Sequence, residues 1–211
     1  MTDLSGTARP HPSRSRDRAG RRVGYGEGRQ ALLRAAVRVV ARRGLRHLTY
    51  RAVAQEAGVT HGLVVHHFGS RDALIEEALA YAVRTSVSSS LLEPGSGRVE
   101  DFAAGLSELV EADPDLQAFQ YELLLEARRR PELREQVRAL YDGYRAAAER
   151  ELSRILPEDA GPALTRLVFS ALDGLVLYQL TLGGAGDTDE AVGALRELLR
   201  GMAREHTEHA R

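Results

Sequence analysis

The chain has 211 residues, of which 43% are apolar and 28% charged, and it contains no cysteine. This composition is ordinary for a globular protein, and the lack of cysteine excludes a disulfide framework and a thiolate metal site. The arginines near the start of the chain are not followed by an apolar run, and the longest apolar stretch, residues 167–182, is interrupted by polar residues. We therefore expect a soluble, cytoplasmic protein without a secretory signal or a membrane span.

The net charge of −1 hides a strong asymmetry along the chain. Residues 1–70 contain 13 arginines and four acidic residues, whereas residues 71–211 contain 16 arginines and 26 acidic residues. A basic first third joined to an acidic remainder indicates that only the first third meets a polyanion.

Residues 1–28 are rich in Arg, Pro, Gly and Ser and have no apolar periodicity, which predicts a disordered tail. Such a tail either lies along DNA phosphates or is simply solvated. From Arg29, apolar residues recur at helical spacing up to Gly44, which predicts a first helix. The stripe of Arg34, Arg38 and Arg42 on this helix is interpreted as a solvated face.

Residues 50–68 predict two short helices joined by a tight turn, with Thr49 as the N-cap of the first. A steep crossing requires a small side chain on the first helix, which Ala54 supplies, and the turn requires a positive φ, which Gly58 adopts without strain. Four apolar residues are expected to fill the wedge between the helices: Val53, Ala57, Val59 and Val64. This arrangement is typical of a helix-turn-helix.

The rest of the chain predicts six further helices and no convincing strand. The first follows Ser70, and the others are marked by apolar spacing and by start or stop residues: Val99 to Leu109, Asp113-Pro114 onward, Pro131 to Pro157, Gly161-Pro162 to Leu182, and a last helix capped by Thr188. We therefore predict an all-α fold of about nine helices. Its expected parts are the tail (1–28), a helix-turn-helix DNA-binding domain (29–75) and a helical effector-binding and dimerisation domain (76–211).

Residues 29–80 resemble the tetracycline-repressor (TetR) family of transcriptional regulators. The resemblance lies in Thr49, in the turn Ala57-Gly58-Val59-Thr60, in the run Gly62-Leu63-Val64-Val65-His66-His67-Phe68 and in Arg71. One departure is Val65, where family members usually have a tyrosine that contacts a phosphate, so this contact must come from elsewhere. The remainder of the chain resembles the family in helix count, length and its apolar eighth helix.

The third helix is expected to place its N-terminal turn in the major groove of DNA. The expected base-facing residues are Thr60, His61, Gly62 and Leu63, with His61 as the best candidate for a base-edge contact. The expected phosphate contacts are Thr49, Tyr50, Arg51, His66 and Arg71, although Tyr50 could equally pack against the first helix. The spacing of His61, His66 and His67 does not suit a metal ion, so no metal and no cofactor are expected.

A helix that is apolar nearly all round, as residues 164–182 are, must be buried on all sides. We expect it to pair with its mate across a two-fold axis, together with the last helix, in a homodimer. The resemblance implies a ligand cavity in this half. Its candidate lining is Phe102, Leu106, Phe119, Tyr121, Tyr141, Tyr144, Phe169, Asp173 and Tyr178, although aromatic residues at helical spacing are also typical of plain core. Asp173 needs a ligand or a partner, such as an arginine across the dimer.

These features predict a sequence-specific, DNA-binding repressor that is released from a palindromic operator by a small hydrophobic or aromatic ligand. An enzyme is disfavoured because the sequence has no phosphate-binding loop, nucleophile elbow or paired metal-binding histidines. An architectural DNA-binding protein is the other alternative. It would bind any duplex alike, and no small molecule would release it.

Overall fold

The computed structural model describes residues 25–88, 96–156 and 160–209. This part of the chain contains nine α-helices and three short 3₁₀ segments and no strand, which confirms the predicted all-α fold. The α-helices are α1 (Tyr25–Arg43), α2 (Tyr50–Ala57), α3 (His61–Phe68), α4 (Arg71–Ser88), α5 (Leu106–Ala112), α6 (Pro114–Glu126), α7 (Arg134–Ile155), α8 (Pro162–Thr181) and α9 (Ala185–His209). The 3₁₀ segments are Leu45–His47, Val99–Asp101 and Pro131–Leu133.

The helix-turn-helix forms as its sequence predicts. The Thr49 hydroxyl accepts a hydrogen bond from the Ala52 N–H at 3.1 Å, which caps α2. Gly58 ends α2 in the left-handed region with φ +67°, where a residue with a Cβ would be strained. Val53 and Val64 are fully buried between the helices. The prediction that Val59 fills this wedge is wrong, because the turn directs this residue to the surface.

Two arginines brace helices α1, α2 and α3, which together form what is called the head below. The Arg29 Nη1 donates to the His67 carbonyl at 2.8 Å, and its guanidinium contacts Glu77 and lies 5.1 Å from the centre of the Phe68 ring. Arg71 donates from Nε and Nη2 to two carbonyls, those of residues 48 and 45, each at 2.8 Å. These charge-assisted hydrogen bonds hold α3 and the segment before α2 against α1 and α4, so the orientation of α3 is fixed.

The head shares its apolar core with the second half of the chain. Buried residues of α6, among them Phe119 and Leu123, belong to the same cluster as Leu32 and Val53 of the head. A second cluster joins the segment around Phe102 to α7, α8 and α9. In addition, α4 runs without a break across residues 75 and 76, where the sequence suggested a domain boundary. The head is therefore coupled mechanically to α6 and α4.

Three local predictions differ from the structure. Helix α1 begins at Tyr25, inside the predicted tail, whose residues 1–24 lie outside the described residues. The helix predicted from residue 99 to 109 is interrupted, because Ala103 and Gly105 have φ of +52° and +76°. Thr188 does not cap α9, which begins three residues earlier. The Asp187 carboxylate instead accepts from the Gly184 N–H at 2.9 Å, ahead of the first turn.

Helix α8 is long and apolar enough to meet the criterion for a membrane span by length and composition. In the structure it packs against α5, α6, α7 and α9, with Val168, Leu172 and Val176 buried. Its opposite side carries large apolar residues that stay exposed in the single chain, among them Leu167 and Leu182. One side of α8 thus packs in the core, and the other is an exposed apolar surface of the kind that protein interfaces use.

Candidate functional site

The start of α3 is the most exposed part of the helix-turn-helix. Val64 and Phe68 anchor this helix in the core. The residues around them are exposed, namely Thr60, His61, Gly62, Leu63, Val65 and His66. Thr49 and Arg51 at the start of α2 are exposed as well. The fold thus brings eight exposed residues to one end of the head, and they include seven of the nine residues predicted to contact DNA.

Gly62 lies in the middle of this face, and no contact with a described residue explains why it is glycine. It has ordinary helical backbone, and a Cβ added to it would meet no atom within 4 Å. A glycine within a helix costs free energy of folding relative to alanine. Its presence therefore suits a close approach of the α3 backbone to something outside the chain.

Two of the residues predicted to contact phosphates also make contacts inside the protein. The Tyr50 ring packs against the head core and lies edge-on to the His61 ring, with centroids 5.9 Å apart. Its hydroxyl is buried and has no hydrogen-bond partner among the described residues. The Arg71 guanidinium is held by two backbone carbonyls and is only half-exposed. Tyr50 thus supports His61, and Arg71 holds the segment before α2 against α4, while the phosphate contacts of both residues stay predictions.

Ion pairs connect the head to α6. The Arg42 Nη2 lies 2.7 Å from Asp115 Oδ2 and its Nη1 lies 3.9 Å from Glu56 Oε1, which also accepts from the Arg38 Nε at 2.7 Å. The hydrogen bond from Arg38 lowers the pKa of Glu56. This chain of charges joins α1, α2 and α6. The predicted solvated stripe of α1 is thus partly engaged in ion pairs.

A cavity of about 200 Å³ lies between α4, α5, α6, α7 and α8. Most of its lining is aliphatic or aromatic, and its charged residues are Asp113 and Asp173. The lining residues are Thr85, Ala103, Leu106, Leu109, Ala112, Asp113, Leu116, Gln117, Gln120, Tyr121, Tyr141, Tyr144, Phe169, Leu172, Asp173 and Val176. An apolar cavity with a few polar groups is typical of a small-molecule site.

Hydrogen bonds order the polar side of the cavity. The Tyr121 hydroxyl lies 2.8 Å from the carbonyl oxygen of Asp173 and 3.0 Å from its Oδ1. The Tyr144 hydroxyl donates to Gln120 Oε1 at 2.9 Å. Burial raises the pKa of the Asp173 carboxyl, which the hydrogen bond from Tyr121 partly opposes. Burial also raises the pKa of Tyr121 and Tyr141, so both phenols stay neutral at physiological pH.

Six of the nine residues predicted for the cavity line it, namely Leu106, Tyr121, Tyr141, Tyr144, Phe169 and Asp173. The other three lie elsewhere. Phe102 is buried in the cluster with α8 and α9, and Phe119 is buried in the core shared with the head. Tyr178 is 44% exposed on the outer side of α8. Aromatic character alone did not distinguish lining from core, because both surfaces of a buried helix are apolar.

The sequence analysis missed the polar residues of α6 in the cavity. Gln117 and Gln120 are buried, and both line it. A signal was present, because Asp113, Gln117 and Gln120 recur at spacings of four and three residues, on one face of α6 with Tyr121. A polar stripe on an otherwise apolar helix points to a site rather than to plain core.

Two family models match this chain and together cover most of it. Residues 32–78 match the model described as bacterial regulatory proteins, tetR family, and residues 97–205 match the tetracyclin repressor-like C-terminal domain. The second match alone spans more than half of the chain. The chain belongs to the tetR family. It is therefore a helix-turn-helix, DNA-binding transcriptional regulator, as the resemblance implied.

Individual relatives agree with this assignment. The HTH-type transcriptional regulator BetI of Agrobacterium fabrum is 28% identical over 155 residues, covering 71% of this chain and 75% of its own. The multidrug binding protein EbrR, solved in complex with imidazole, is 31% identical with a TM-score of 0.57 and covers 82% and 93% of the two chains. A transcriptional regulator from Saccharomonospora viridis in complex with choline has the same fold, with 21% identity, a TM-score of 0.69 and coverage of 82% and 96%.

Proposed function

We propose that this tetR-family member is a homodimeric, cytoplasmic repressor that binds a palindromic operator through α3 and is released by a small ligand in the α4–α8 cavity. It acts as a regulator rather than as an enzyme. The observation that carries the proposal is the exposed, braced N-terminal turn of α3, because a rigid exposed helix end beside a basic flank is what major-groove recognition requires.

On the DNA side, His61 supplies a base-edge contact, Gly62 permits close approach of the backbone and Leu63 contacts a thymine methyl group. Phosphate contacts come from four exposed residues that flank this turn: Thr49, Arg51, Thr60 and His66. Thr60 precedes α3 without a side-chain capping hydrogen bond, which leaves its hydroxyl available for a phosphate.

The dimer forms through α8 and α9. The exposed fractions of Leu167, Leu182 and Leu198 are 67%, 80% and 68%, so three large aliphatic residues on or next to α8 and α9 are open to solvent in the single chain. On α8, the exposed residues between Leu167 and Leu182 include Ala171, Gly174 and Leu177, which form an exposed stripe along the helix. Its middle consists of small residues, which allow two helices to approach closely. A two-fold axis through this stripe would place two α3 helices on half-sites roughly 34–36 Å apart or a further turn away.

Ligand control follows from the shared position of α6. One side of α6 lines the cavity with Gln117, Gln120 and Tyr121, and its other side packs in the head core through Phe119 and Leu123. A ligand that shifts α6 therefore shifts α1 as well, aided by the ion pair between Arg42 and Asp115. The imidazole complex of EbrR and the choline complex of the Saccharomonospora viridis regulator support the use of this fold for small ligands.

A gel shift on DNA from just upstream of the protein's own gene, with excess random competitor, tests the DNA claim. Wild-type protein should give a shift that survives the competitor. His61→Ala should weaken binding to that DNA by about 5- to 150-fold, a loss of about 1–3 kcal/mol, while its binding to random duplex changes little. Equal losses on both duplexes would remove His61 from base recognition.

The phosphate contacts are tested by salt dependence. Arg51→Ala should weaken binding to both duplexes and reduce the slope of log K against log salt concentration by about one. Arg34→Ala is the matched control, because Arg34 is also an exposed arginine of the head but lies on α1. If both variants reduce the slope equally, the proposed orientation of the head on DNA is wrong. If random DNA competes fully with wild-type protein, a non-specific architectural role replaces the proposed one.

A further inference from the structure

The Asp173 carboxyl has no counter-charge among the described residues. Its carboxylate has no ion-pair partner among the described residues, and it receives at most one hydrogen bond, from the Tyr121 hydroxyl. It shares its face of α8 with Phe169, Leu172 and Val176, which places it in the cavity wall rather than on the exposed stripe. An arginine of the partner subunit is therefore not its counter-charge. A carboxylate removed from water without a partner is strongly unfavourable, so the site is built for a charge that comes from outside.

The remaining lining excludes an anionic ligand. Asp113 and Asp173 are the charged residues among the described lining of the cavity, and no described arginine or histidine lines it. The hydroxyl of Tyr121 is directed at Asp173 and the hydroxyl of Tyr144 at Gln120, so these donors are already used within the wall. The described lining consequently offers negative charge and lacks the positive charge that an anion would need.

Aromatic rings form a corner beside the carboxylate. The Tyr141 ring lies at 87° to the Tyr144 ring with centroids 6.3 Å apart, and at 81° to the Phe169 ring with centroids 6.1 Å apart. All three rings line the cavity, so ring surfaces of different orientation border the same space. Faces arranged in this way attract ammonium groups, and a cage of aromatic rings is a known recognition element for quaternary ammonium ligands.

We propose that the ligand of this cavity is an organic monocation, a substituted ammonium with an apolar body, whose charge lies between Asp173 and the rings of Tyr141, Tyr144 and Phe169. This rests on the proposed function in that the cavity takes a ligand at all. A cavity of about 200 Å³ holds on the order of ten non-hydrogen atoms, since a cavity of ~150 Å³ accepts benzene. The hydrophobic or aromatic effector that the sequence predicts must therefore also carry a positive charge.

A pair of probes of equal shape isolates the charge. Phenyltrimethylammonium and tert-butylbenzene differ in one atom, nitrogen or carbon, and in one positive charge. We expect isothermal titration calorimetry to show that the cation binds wild-type protein at least tenfold more tightly than the neutral compound. Equal affinities, tighter binding of tert-butylbenzene or binding of neither compound would overturn the inference, and this comparison needs no variant.

A variant pair assigns the effect to Asp173. Asp173→Asn should reduce the preference for the cation to about threefold or less and leave the affinity for tert-butylbenzene unchanged. Glu111→Gln removes the same charge from an exposed position on α5 that does not line the cavity, and it should keep the full preference. A preference that is equal in both variants would show that Asp173 is not the counter-charge.

Release of DNA is measured separately, by fluorescence anisotropy of a labelled operator duplex with the same two probes. Binding of the cation without release of DNA would support the ligand class and contradict the proposed ligand control. Release of DNA by tert-butylbenzene at equal affinity would support ligand control and overturn the proposed ligand class.

Discussion

Replacing Gly62 by alanine should stabilise the free protein and weaken its binding to DNA. An added Cβ meets no atom within 4 Å, and the backbone of Gly62 is ordinary α-helix, so the variant introduces neither a clash nor strain. Alanine is favoured over glycine in a helix by about 0.5–1 kcal/mol. Because Gly62 is the second residue of α3, we expect the lower value, roughly 0.5 kcal/mol of added free energy of unfolding, measured by urea denaturation.

The effect on DNA binding should have the opposite sign. If the α3 backbone approaches the floor of the major groove at Gly62, a methyl group holds it away and disturbs the neighbouring contacts of His61 and Leu63. We expect at least a tenfold loss of operator affinity, about 1.4 kcal/mol, by fluorescence anisotropy. Affinity for random duplex should change less, because non-specific binding depends mainly on phosphate contacts.

Two further glycines serve as controls. Gly143 lies exposed in the interior of α7, where a Cβ also meets nothing within 4 Å, so Gly143→Ala should add about 1 kcal/mol of stability without any change in DNA affinity. Gly58→Ala should instead destabilise the head by about 1–2 kcal/mol, because φ is +67° there. A Gly62→Ala protein that binds operator as tightly as wild type would refute the close approach.

Three other predictions follow from the structure. Tyr50→Phe should raise the free energy of unfolding by about 1 kcal/mol, since it removes a buried hydroxyl without a partner among the described residues, and leave operator affinity unchanged; weaker binding would show that the hydroxyl reaches DNA. Folding raises the pKa of Asp173, so the folded state binds the proton of this carboxyl more tightly than the unfolded state does. The free energy of unfolding therefore falls as pH rises from about 3.9, the unfolded value, through the raised pKa. Asp173→Asn should therefore raise stability at neutral pH and remove this decline, which urea denaturation at several pH values measures; superimposable profiles would contradict it. A double-mutant cycle of Arg42→Ala and Asp115→Ala on the free energy of unfolding should show only weak coupling, because Arg42 is 58% exposed and water screens the ion pair. A coupling as strong as that of a buried ion pair would contradict this.

The sequence predicted the elements whose signals are local. Thr49, Gly58 and the Asp113-Pro114 pair each act through their own backbone neighbours, and each performs its expected part in the structure. The break near Ala103 was missed because alanine at a positive φ has no sequence signature, and the apolar spacing of Val99, Phe102 and Leu106 continues through it.

The roles of the arginines could not be predicted for a different reason. Arg71 and Arg29 use donors that reach backbone carbonyls 26 and 38 residues away along the chain, so their partners depend on tertiary packing. An arginine in a basic flank is equally compatible with a phosphate and with a buried carbonyl. The cavity was partly predictable, because Asp173 in an apolar helix is unusual wherever it lies, whereas Phe102 and Phe119 satisfy every local criterion for a lining residue and are core.

The apolar core that joins the head to α6 also sets how this protein can be recombined with its relatives. A chimera that takes the head of one regulator and the ligand-binding half of another, joined within α4, would pair the α1 of one parent with the α6 of the other. Leu116, Phe119 and Leu123 would then face a surface shaped for different side chains, and mismatched core packing costs about 1–3 kcal/mol per overpacked site. A graft that transfers the head-facing side of α6 together with residues 25–88 keeps this surface intact, so the transferable unit of recognition is larger than the helix-turn-helix.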